Sequence, residues 1–210
     1  MSQRSIKQIS MNALWYQNPS LVKFMGLCPL LAVSSTVVNA IGLGLSTLIV
    51  LILANTFSSL IRYQIDSNIR IPILIIIIAA IVTIFEMLVK SNFYELNKLL
   101  GIFVPLIAVN YIVFSRVESY GSKNALGNAF IDGLMVGLSF LIMLIIIGSI
   151  RELFGQGTLF VDMDLLFGAN AKDWVIRPLG DDFRFRLLLI PPGALFVLGA
   201  MIALKNNISS

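Results

Sequence analysis

The segment Gly26-Leu-Cys-Pro-Leu-Leu-Ala-Val33 recurs as Gly101-Ile-Phe-Val-Pro-Leu-Ile-Ala-Val109, with one additional residue before the second proline. Each proline lacks an N–H and frees the helical carbonyl four residues earlier, at Met25 and at Gly101, which predicts broken helices. The copies lie in the first and fourth predicted crossings of a membrane, so they run in opposite directions, as in an inverted repeat. We therefore predict a site where the two breaks meet. A chance match between two apolar, proline-containing helices is the alternative interpretation.

The composition of the chain excludes a water-soluble globule. Of its 210 residues, 58% are hydrophobic and 12% are charged, whereas a soluble domain has about 45–50% apolar and 25% charged residues. A chain this apolar is not disordered, and its single cysteine cannot form a disulfide framework. Histidine, the commonest general base, is absent. The net charge of +4 comes from scattered Lys and Arg, which indicates membrane topology rather than nucleic-acid binding.

Runs without charged residues predict six crossings. The uncharged stretch from Phe24 to Ile61 would be about 57 Å long as one helix, against about 30 Å for a bilayer core, so it contains two crossings. The turn between them is predicted at Asn39-Ala-Ile-Gly-Leu-Gly44. We expect an all-α integral membrane protein in which residues 1–210 form one domain of three plus three helices, with helices 1 and 4 broken. The predicted spans are 24–38, 43–61, 71–89, 99–114, 131–150 and 187–204, with an outer loop at 151–186.

An even number of spans places both termini on one side of the membrane. The short outer loops would carry only Lys90 and Lys98, so the distribution of positive charge favours cytoplasmic termini. The segment before the first span is too polar for the apolar region of a signal peptide. We expect it to lie on the cytoplasmic face, with Trp15 and Tyr16 at headgroup level.

Two carboxylates and two amides lie within the predicted spans, and ionisable residues there are candidates for function. Glu86 lies four residues before Lys90, a spacing typical of a surface ion pair. Asp132 lies one turn into the fifth span, where a solvated helix start is the alternative to a functional role. Asn55 and Asn110 lie deeper, and either bridge helices or line an ion path.

Cys28, directly before Pro29, is the only thiol of the chain. A lone apolar-facing cysteine is commonly a packing residue. If Cys28 is instead a metal ligand, the remaining ligands must come from another polypeptide. The sequence contains no catalytic triad, phosphate-binding loop or dinucleotide fingerprint, so we predict no independent active site.

Several separated motifs, in order along essentially the whole chain, resemble the E-type members of the Rnf (Rsx) electron-transport complexes. The chain is less closely similar to the D-type member of the sodium-translocating NADH:quinone reductase. The motifs are Gly26-Leu-Cys-Pro-Leu-Leu-Ala-Val33, Arg70-Ile-Pro72, Gly101-Ile-Phe-Val-Pro-Leu-Ile107, Gly148-Ser-Ile-Arg-Glu-Leu-Phe-Gly155, Gly157-Thr-Leu-Phe160 and Pro191-Pro-Gly-Ala194.

This resemblance implies a six-helix, multi-pass component of a bacterial inner-membrane redox pump that couples electron transfer to translocation of Na⁺ or H⁺. It implies association with the A, B, C, D and G components of the Rnf complex and with membrane lipid, without nucleic acid. The A component, which is the inverted-topology paralogue, would share a 2Fe–2S cluster with this chain.

The resemblance also implies that Cys28 is a ligand of that cluster. The second cysteine of the family would follow Asn110, where this chain has Tyr111. Four thiolates hold a 2Fe–2S cluster, so either Tyr111 or another group supplies an oxygen, a partner fills the position, or the cluster is altered or missing. The predicted function is an electron relay within a multi-subunit ion-translocating oxidoreductase. A small secondary transporter and a purely structural membrane scaffold are the alternatives.

Overall fold

The described part of the chain is built from helices. The computed structural model describes residues 26–66, 69–92, 101, 103–158, 160–161 and 188–209, and within these ranges the all-α prediction is confirmed. The elements, in chain order, are α1 (Leu27–Val33), α2 (Val37–Ile61), α3 (Arg70–Asn92), a 3₁₀ turn (Pro105–Ile107), α4 (Tyr111–Arg116), a π-helical turn (Val117–Gly121), α5 (Leu126–Gln156) and α6 (Pro191–Ser209).

Three of these helices, α2, α3 and α5, are long and apolar enough to cross a membrane. Helix α6 adds a shorter apolar stretch, Pro191–Leu204. These four helices overlap the second, third, fifth and sixth predicted spans. Helix α3 exposes most of its side chains, whereas α2 and α5 are much more buried, so α2 and α5 form the centre of the described fold.

Glycines allow α2 and α5 to pack closely as an antiparallel pair. A Cβ atom added at Gly137 would lie 3.0 Å from the Leu48 Cα, and one added at Gly44 would lie 3.2 Å from the Leu141 Cα. Because such distances leave no room for side chains, glycine brings the two backbones together, as small residues do in membrane helix pairs. The α2–α5 pair therefore positions the polar side chains that lie at its two ends.

The first interruption of the chain lies at Ser34–Thr36 and not at the predicted turn between Asn39 and Gly44. Thr36 has an extended backbone (φ −132°, ψ 155°), and its side chain accepts a hydrogen bond from the Asn39 N–H at 3.4 Å, which caps α2. The glycines of the predicted turn are buried inside α2. Their role is packing against α5 rather than turn formation.

The second interruption lies inside the predicted span 99–114, at Ala108–Asn110. Pro105 opens the 3₁₀ turn, and Asn110 (ψ 117°) leaves the helical region and caps α4. Pro29 likewise lies at the third position of α1. First-turn prolines cost no helical hydrogen bond, so both prolines begin short helical segments instead of kinking long ones.

Helix α5 extends beyond the predicted fifth span at both ends. Its final turns contain Arg151 and Glu152, which the sequence places in the outer loop 151–186. Gly157, with φ 72°, ends the helix in the left-handed conformation that favours glycine. Residues 159 and 162–186 of the predicted loop, and the predicted amphipathic segment with Trp15 and Tyr16, lie outside the described residues.

Candidate functional site

Gly26, at the start of the first repeat copy, packs against residues that directly follow the second copy. This residue precedes α1 with φ 76°, and a Cβ atom added to it would lie 2.6 Å from the Ile112 Cδ1 and 3.2 Å from the Asn110 Oδ1. The same Asn110 oxygen accepts a hydrogen bond from the Ile112 N–H at 3.1 Å. The left-handed backbone therefore favours glycine at this junction, and a larger residue would also displace the end of the Ile112 side chain.

Cys28 and Tyr111 lie on the two segments that meet at this junction, and both are exposed. Cys28 is a free thiol, and the Tyr111 side chain is also largely exposed. In a membrane protein of this kind such surfaces face lipid or a partner. Among the described residues no group of three or more His, Cys, Asp or Glu side chains could hold a metal ion. On this donor set, the described part of the chain offers one thiolate toward a metal cluster and does not complete a four-thiolate site.

A buried arginine on α5 stabilises the first interruption. The Arg151 side chain is 1% exposed. Its Nη1 donates to the Ser34 Oγ at 2.8 Å and to the Leu31 carbonyl at 3.4 Å, near the end of α1. Its Nε and Nη2 donate to the carbonyls that precede α6, Leu188 at 2.9 Å, Leu189 at 2.7 Å and Ile190 at 3.4 Å. One guanidinium thus donates hydrogen bonds to carbonyls at the end of α1 and to carbonyls before α6. Backbone groups buried in a membrane require such partners.

The neighbouring Glu152 stabilises the other side of the same interruption. Its Oε2 accepts from the Val37 N–H at 2.7 Å, and its Oε1 accepts from the Val161 N–H at 2.9 Å. A carboxylate at the start of α2 offsets the unpaired N–H groups and the positive end of that helix. Arg151 and Glu152 together connect α5 with α1, α2, residue 161 and the start of α6.

A second buried polar cluster lies at the opposite end of the α2–α5 pair. Asp132 is buried, and its Oδ1 lies 3.5 Å from the Arg116 Nη1. The Asn55 Nδ2 donates to the Ala129 carbonyl at 3.4 Å. The Asn55 Oδ1, the Ser58 Oγ and the Asp132 Oδ2 are buried and have no hydrogen-bond partner in the described residues. The interpretation of Asp132 as a solvated helix start is wrong, because its side chain is enclosed.

Glu86 and Lys90 form the surface ion pair that their spacing indicates. The Lys90 Nζ lies 2.7 Å from the Glu86 Oε1, and both side chains are at least partly exposed on the surface of the fold. Such a pair lets both charges extend toward the headgroup region. We therefore assign it no part in the candidate site.

Sequence reasoning identifies Asp132, Asn55 and Asn110 as candidates but misses Arg151 and Glu152. Both lie in a motif that carries the family resemblance. Two adjacent charged residues are, however, typical of the point where a helix leaves the membrane, so the predicted span ends before them. One signal could have placed them in the helix. The glycine at 157 marks the end of α5 about one and a half turns later, and no proline lies between residues 126 and 157.

Comparisons with known proteins show which proteins the chain is similar to. The Rnf-Nqr family, described as "Rnf-Nqr subunit, membrane protein", matches residues 6–202. Several curated relatives are named as the E subunit of an "Ion-translocating oxidoreductase complex". One from Cellvibrio japonicus is 47% identical over 211 residues, covering 100% of this chain and 89% of the relative. One from Pseudomonas aeruginosa (strain UCBPP-PA14) is 47% identical over 208 residues, covering 99% and 87%. One from Vibrio parahaemolyticus is 48% identical over 204 residues, covering 97% and 89%.

Proposed function

Because the chain belongs to the Rnf-Nqr family of membrane subunits, we propose that it is the E-type component of an ion-translocating oxidoreductase complex. In this role it relays electrons through the membrane and couples their transfer to movement of Na⁺ or H⁺. The proposal combines the names of its relatives with one structural observation. The two interrupted repeat segments meet at Gly26, and they carry Cys28 and Tyr111 on exposed surfaces.

The proposed architecture is six spans in an inverted repeat, with short broken helices at the first and fourth positions. The matched construction of the two copies supports it. In each copy a proline opens a short helical segment, a few non-helical residues follow, and a polar side chain caps the next helix. We propose that the protein lies in the bacterial inner membrane, with both termini in the cytoplasm.

The proposed redox centre is a 2Fe–2S cluster to which this chain contributes Cys28. One thiolate is a quarter of the usual ligand set, so the cluster can form only with ligands from a partner. The exposure of Cys28 on this chain supports an intermolecular position. The proposed partner is the A-type component, the inverted-topology paralogue, within a complex that also contains the B, C, D and G components. When bound, the cluster would supply one-electron chemistry, and the residues of this chain would hold it in a low-dielectric position.

The ion-translocating part of the function is proposed to involve the cluster around Asp132. A carboxylate buried between membrane helices marks an ion or proton path by default. Here three buried oxygens, from Asn55, Ser58 and Asp132, have no hydrogen-bond partner among the described residues. Oxygen atoms of this kind are the ligands that hard cations prefer, and a bound proton would also satisfy one of them.

Replacing Cys28 tests the electron relay. We expect Cys28→Ser to abolish a membrane-core iron–sulfur signal in electron paramagnetic resonance of the assembled complex and to stop ion pumping in membrane vesicles. Ala32→Ser is the matched control, since Ala32 lies one turn later on α1. An unchanged signal with wild-type pumping in Cys28→Ser would contradict the relay and favour a scaffold. Ion or solute uptake by the isolated protein without redox partners would favour a transporter.

Tyr111→Phe distinguishes the possible compositions of the cluster site. The substitution removes only the phenolic oxygen of an exposed side chain. If that oxygen is a ligand, the iron–sulfur signal changes its g-values or is lost. If a partner completes the site, the signal stays as in the wild type. Tyr111→Cys, which restores the second cysteine implied by the family, is expected to increase the iron retained during purification.

Asp132→Asn tests the ion path separately from the electron path. We expect ion transport per electron to fall, because the substitution removes the buried charge without changing the size of the side chain. Glu86→Gln is the matched control, since it neutralises a carboxylate that belongs to a surface pair. Equal ion transport per electron in both variants would exclude Asp132 from the path.

A further inference from the structure

The helix that carries Cys28 is too short to hold its own position. Helix α1 has seven residues, whereas isolated helices shorter than about 12–15 residues are marginal even in favourable sequences. Its placement therefore depends on what holds its two ends. At the start, Gly26 packs against Ile112 and Asn110. The contacts at its other end decide whether the thiol keeps one position.

At the C-terminal end, a chain of hydrogen bonds connects α1 to α5. The Arg151 Nη1 donates to the Ser34 Oγ at 2.8 Å, and the Ser34 hydroxyl in turn donates to the Leu30 carbonyl within α1. The same nitrogen also donates to the Leu31 carbonyl. Ser34 is fully buried, so water does not compete with these contacts. A cation beside the last carbonyls of a helix is also favoured by the helix dipole.

The other nitrogens of Arg151 fix the guanidinium itself. Its Nε and Nη2 donate to the carbonyls of residues 188–190, directly before α6. Leu188 and Leu189 lie before the first residue of α6, so their carbonyls have no partner within that helix. The arginine therefore has little freedom to follow α1 if α1 moves. It holds a fixed position between the long helix α5 and the Cys28 helix.

We propose that Arg151 is a positioning residue for Cys28, acting through Ser34 and the C-terminal end of α1. The inference rests on the proposed function of Cys28 and extends it to residues outside the redox centre. A membrane-buried guanidinium is costly, and five neutral acceptors surround this one. A neutral capping side chain could satisfy the carbonyls of only one helix end. The Arg151 guanidinium bonds to the end of α1 and to the segment before α6 at the same time, which explains why a charged residue is used beside the helix that carries Cys28.

The test uses the alkylation rate of Cys28 in the assembled complex, measured with N-ethylmaleimide. Cys28 is the only thiol of this chain, so every adduct on the chain reports it. If Cys28 is a ligand of the proposed cluster, alkylation requires its thiolate to leave the cluster, so the rate follows the population of the displaced state. Ser34→Ala removes one hydrogen bond from the chain and is expected to accelerate alkylation about five-fold. Ser34→Thr, which keeps the hydroxyl, is expected to restore the wild-type rate.

Ser59→Ala is the matched control, because Ser59 is also buried on a hydrogen bond of 2.8 Å, to the Asn124 carbonyl at the opposite end of α2. We expect it to leave the alkylation rate of Cys28 unchanged. Ser34→Ala is a small change, so it avoids the loss of folding that substitution of Arg151 itself can cause. Equal acceleration in Ser59→Ala, or none in Ser34→Ala, would overturn the proposal.

The spectrum of the complex separates this proposal from the proposed function. If Cys28→Ser leaves the iron–sulfur signal intact, the relay fails, and a change of the Cys28 alkylation rate in either direction in Ser34→Ala, but not in Ser59→Ala, still shows that the contacts of Arg151 position Cys28. If the signal depends on Cys28, we expect Ser34→Ala to shift its g-values at equal amounts of assembled complex. A signal identical to the wild type in Ser34→Ala would then count against positioning.

Discussion

The two interruptions of the chain follow similar sequences but are stabilised in different ways. At the first, around Ser34–Thr36, Arg151 and Glu152 extend from α5 and form hydrogen bonds with groups on both sides of the break. At the second, around Ala108–Asn110, the Asn110 side chain caps α4, and its Nδ2 has no partner among the described residues. The first break is held by long-range charged contacts, and the second largely by local ones.

This difference shows how a repeated sequence acquires two roles. The prolines and caps produce the same local geometry in both copies, because they act on neighbouring backbone groups. Within the described residues the tertiary support is not repeated, since Arg151 and Glu152 of α5 form hydrogen bonds only around the first break. The first copy therefore resists displacement, whereas the second presents a buried amide donor and the exposed Tyr111.

The largest expected effect is that of removing the support of the first break. Arg151→Leu would leave buried carbonyls and the Ser34 hydroxyl without their donor, at about 1–3 kcal/mol for each unsatisfied group. We expect a loss of at least ~3 kcal/mol in the free energy of unfolding, measured as reduced amounts of folded protein in membranes and earlier unfolding in detergent.

Arg116→Leu is the control for this prediction. Arg116 is partly exposed, and its contact with Asp132 is long, at 3.5 Å, so its removal should cost only about 1 kcal/mol. Equal losses in the two variants would show that removal of either arginine has the same effect, whether or not its guanidinium is buried. The contrast between the two breaks would then lose its basis.

A smaller effect is expected at the junction where the two copies touch. Gly26→Ala forces a side chain into the left-handed region and places its Cβ 2.6 Å from the Ile112 Cδ1. Strain and overpacking together should cost about 1–3 kcal/mol in the free energy of unfolding. Ile112→Val removes the contacting methyl and should recover part of this loss in the double variant.

Gly127→Ala provides the opposite outcome in the same assay. Gly127 lies in the first turn of α5, and a Cβ atom there would meet nothing within 4 Å. Alanine should therefore stabilise the helix by about 0.5–1 kcal/mol. If both glycine variants behaved alike, the junction between the repeat copies would not depend on a close backbone approach.

The sequence predicts much of this fold because its strongest signals are local. Charge-free apolar runs predict the regions of α2, α3 and α5, and the prolines predict that the repeat segments are not continuous helices. The position of the first break is missed, since Gly42 and Gly44 resemble turn residues when only neighbours are considered. Gly44 packs against Leu141 of α5, which lies about a hundred positions away in the sequence.

The candidate site is less predictable for the same reason. Asn55 and Asp132 stand out because polar groups are rare in the spans. Arg151 and Glu152 instead resemble the charged end of a crossing, and no local pattern indicates that their partners are Leu31, Val37 and Leu188. These partners become available only when two distant breaks fold against the end of α5. The sequence displays the charges but not the unsatisfied backbone groups that they serve.

The smallest expected effect concerns the Asn110 Nδ2 at the second break, and it tests whether this donor forms a hydrogen bond. Asn110→Thr keeps a side-chain oxygen for the cap, as Thr36 provides in the first copy, and removes a buried N–H₂ group without a described partner. The free energy of unfolding should change by less than about 1 kcal/mol, with stabilisation favoured, because an unsatisfied donor costs free energy. Thr36→Asn, which adds such a group to the first break, should destabilise by about 1 kcal/mol.

A loss above about 2 kcal/mol in Asn110→Thr within the complex, but not in the purified protein, would mean that a partner accepts the hydrogen bond from the Asn110 Nδ2. The second break would then be completed on assembly, while the first is complete within the chain.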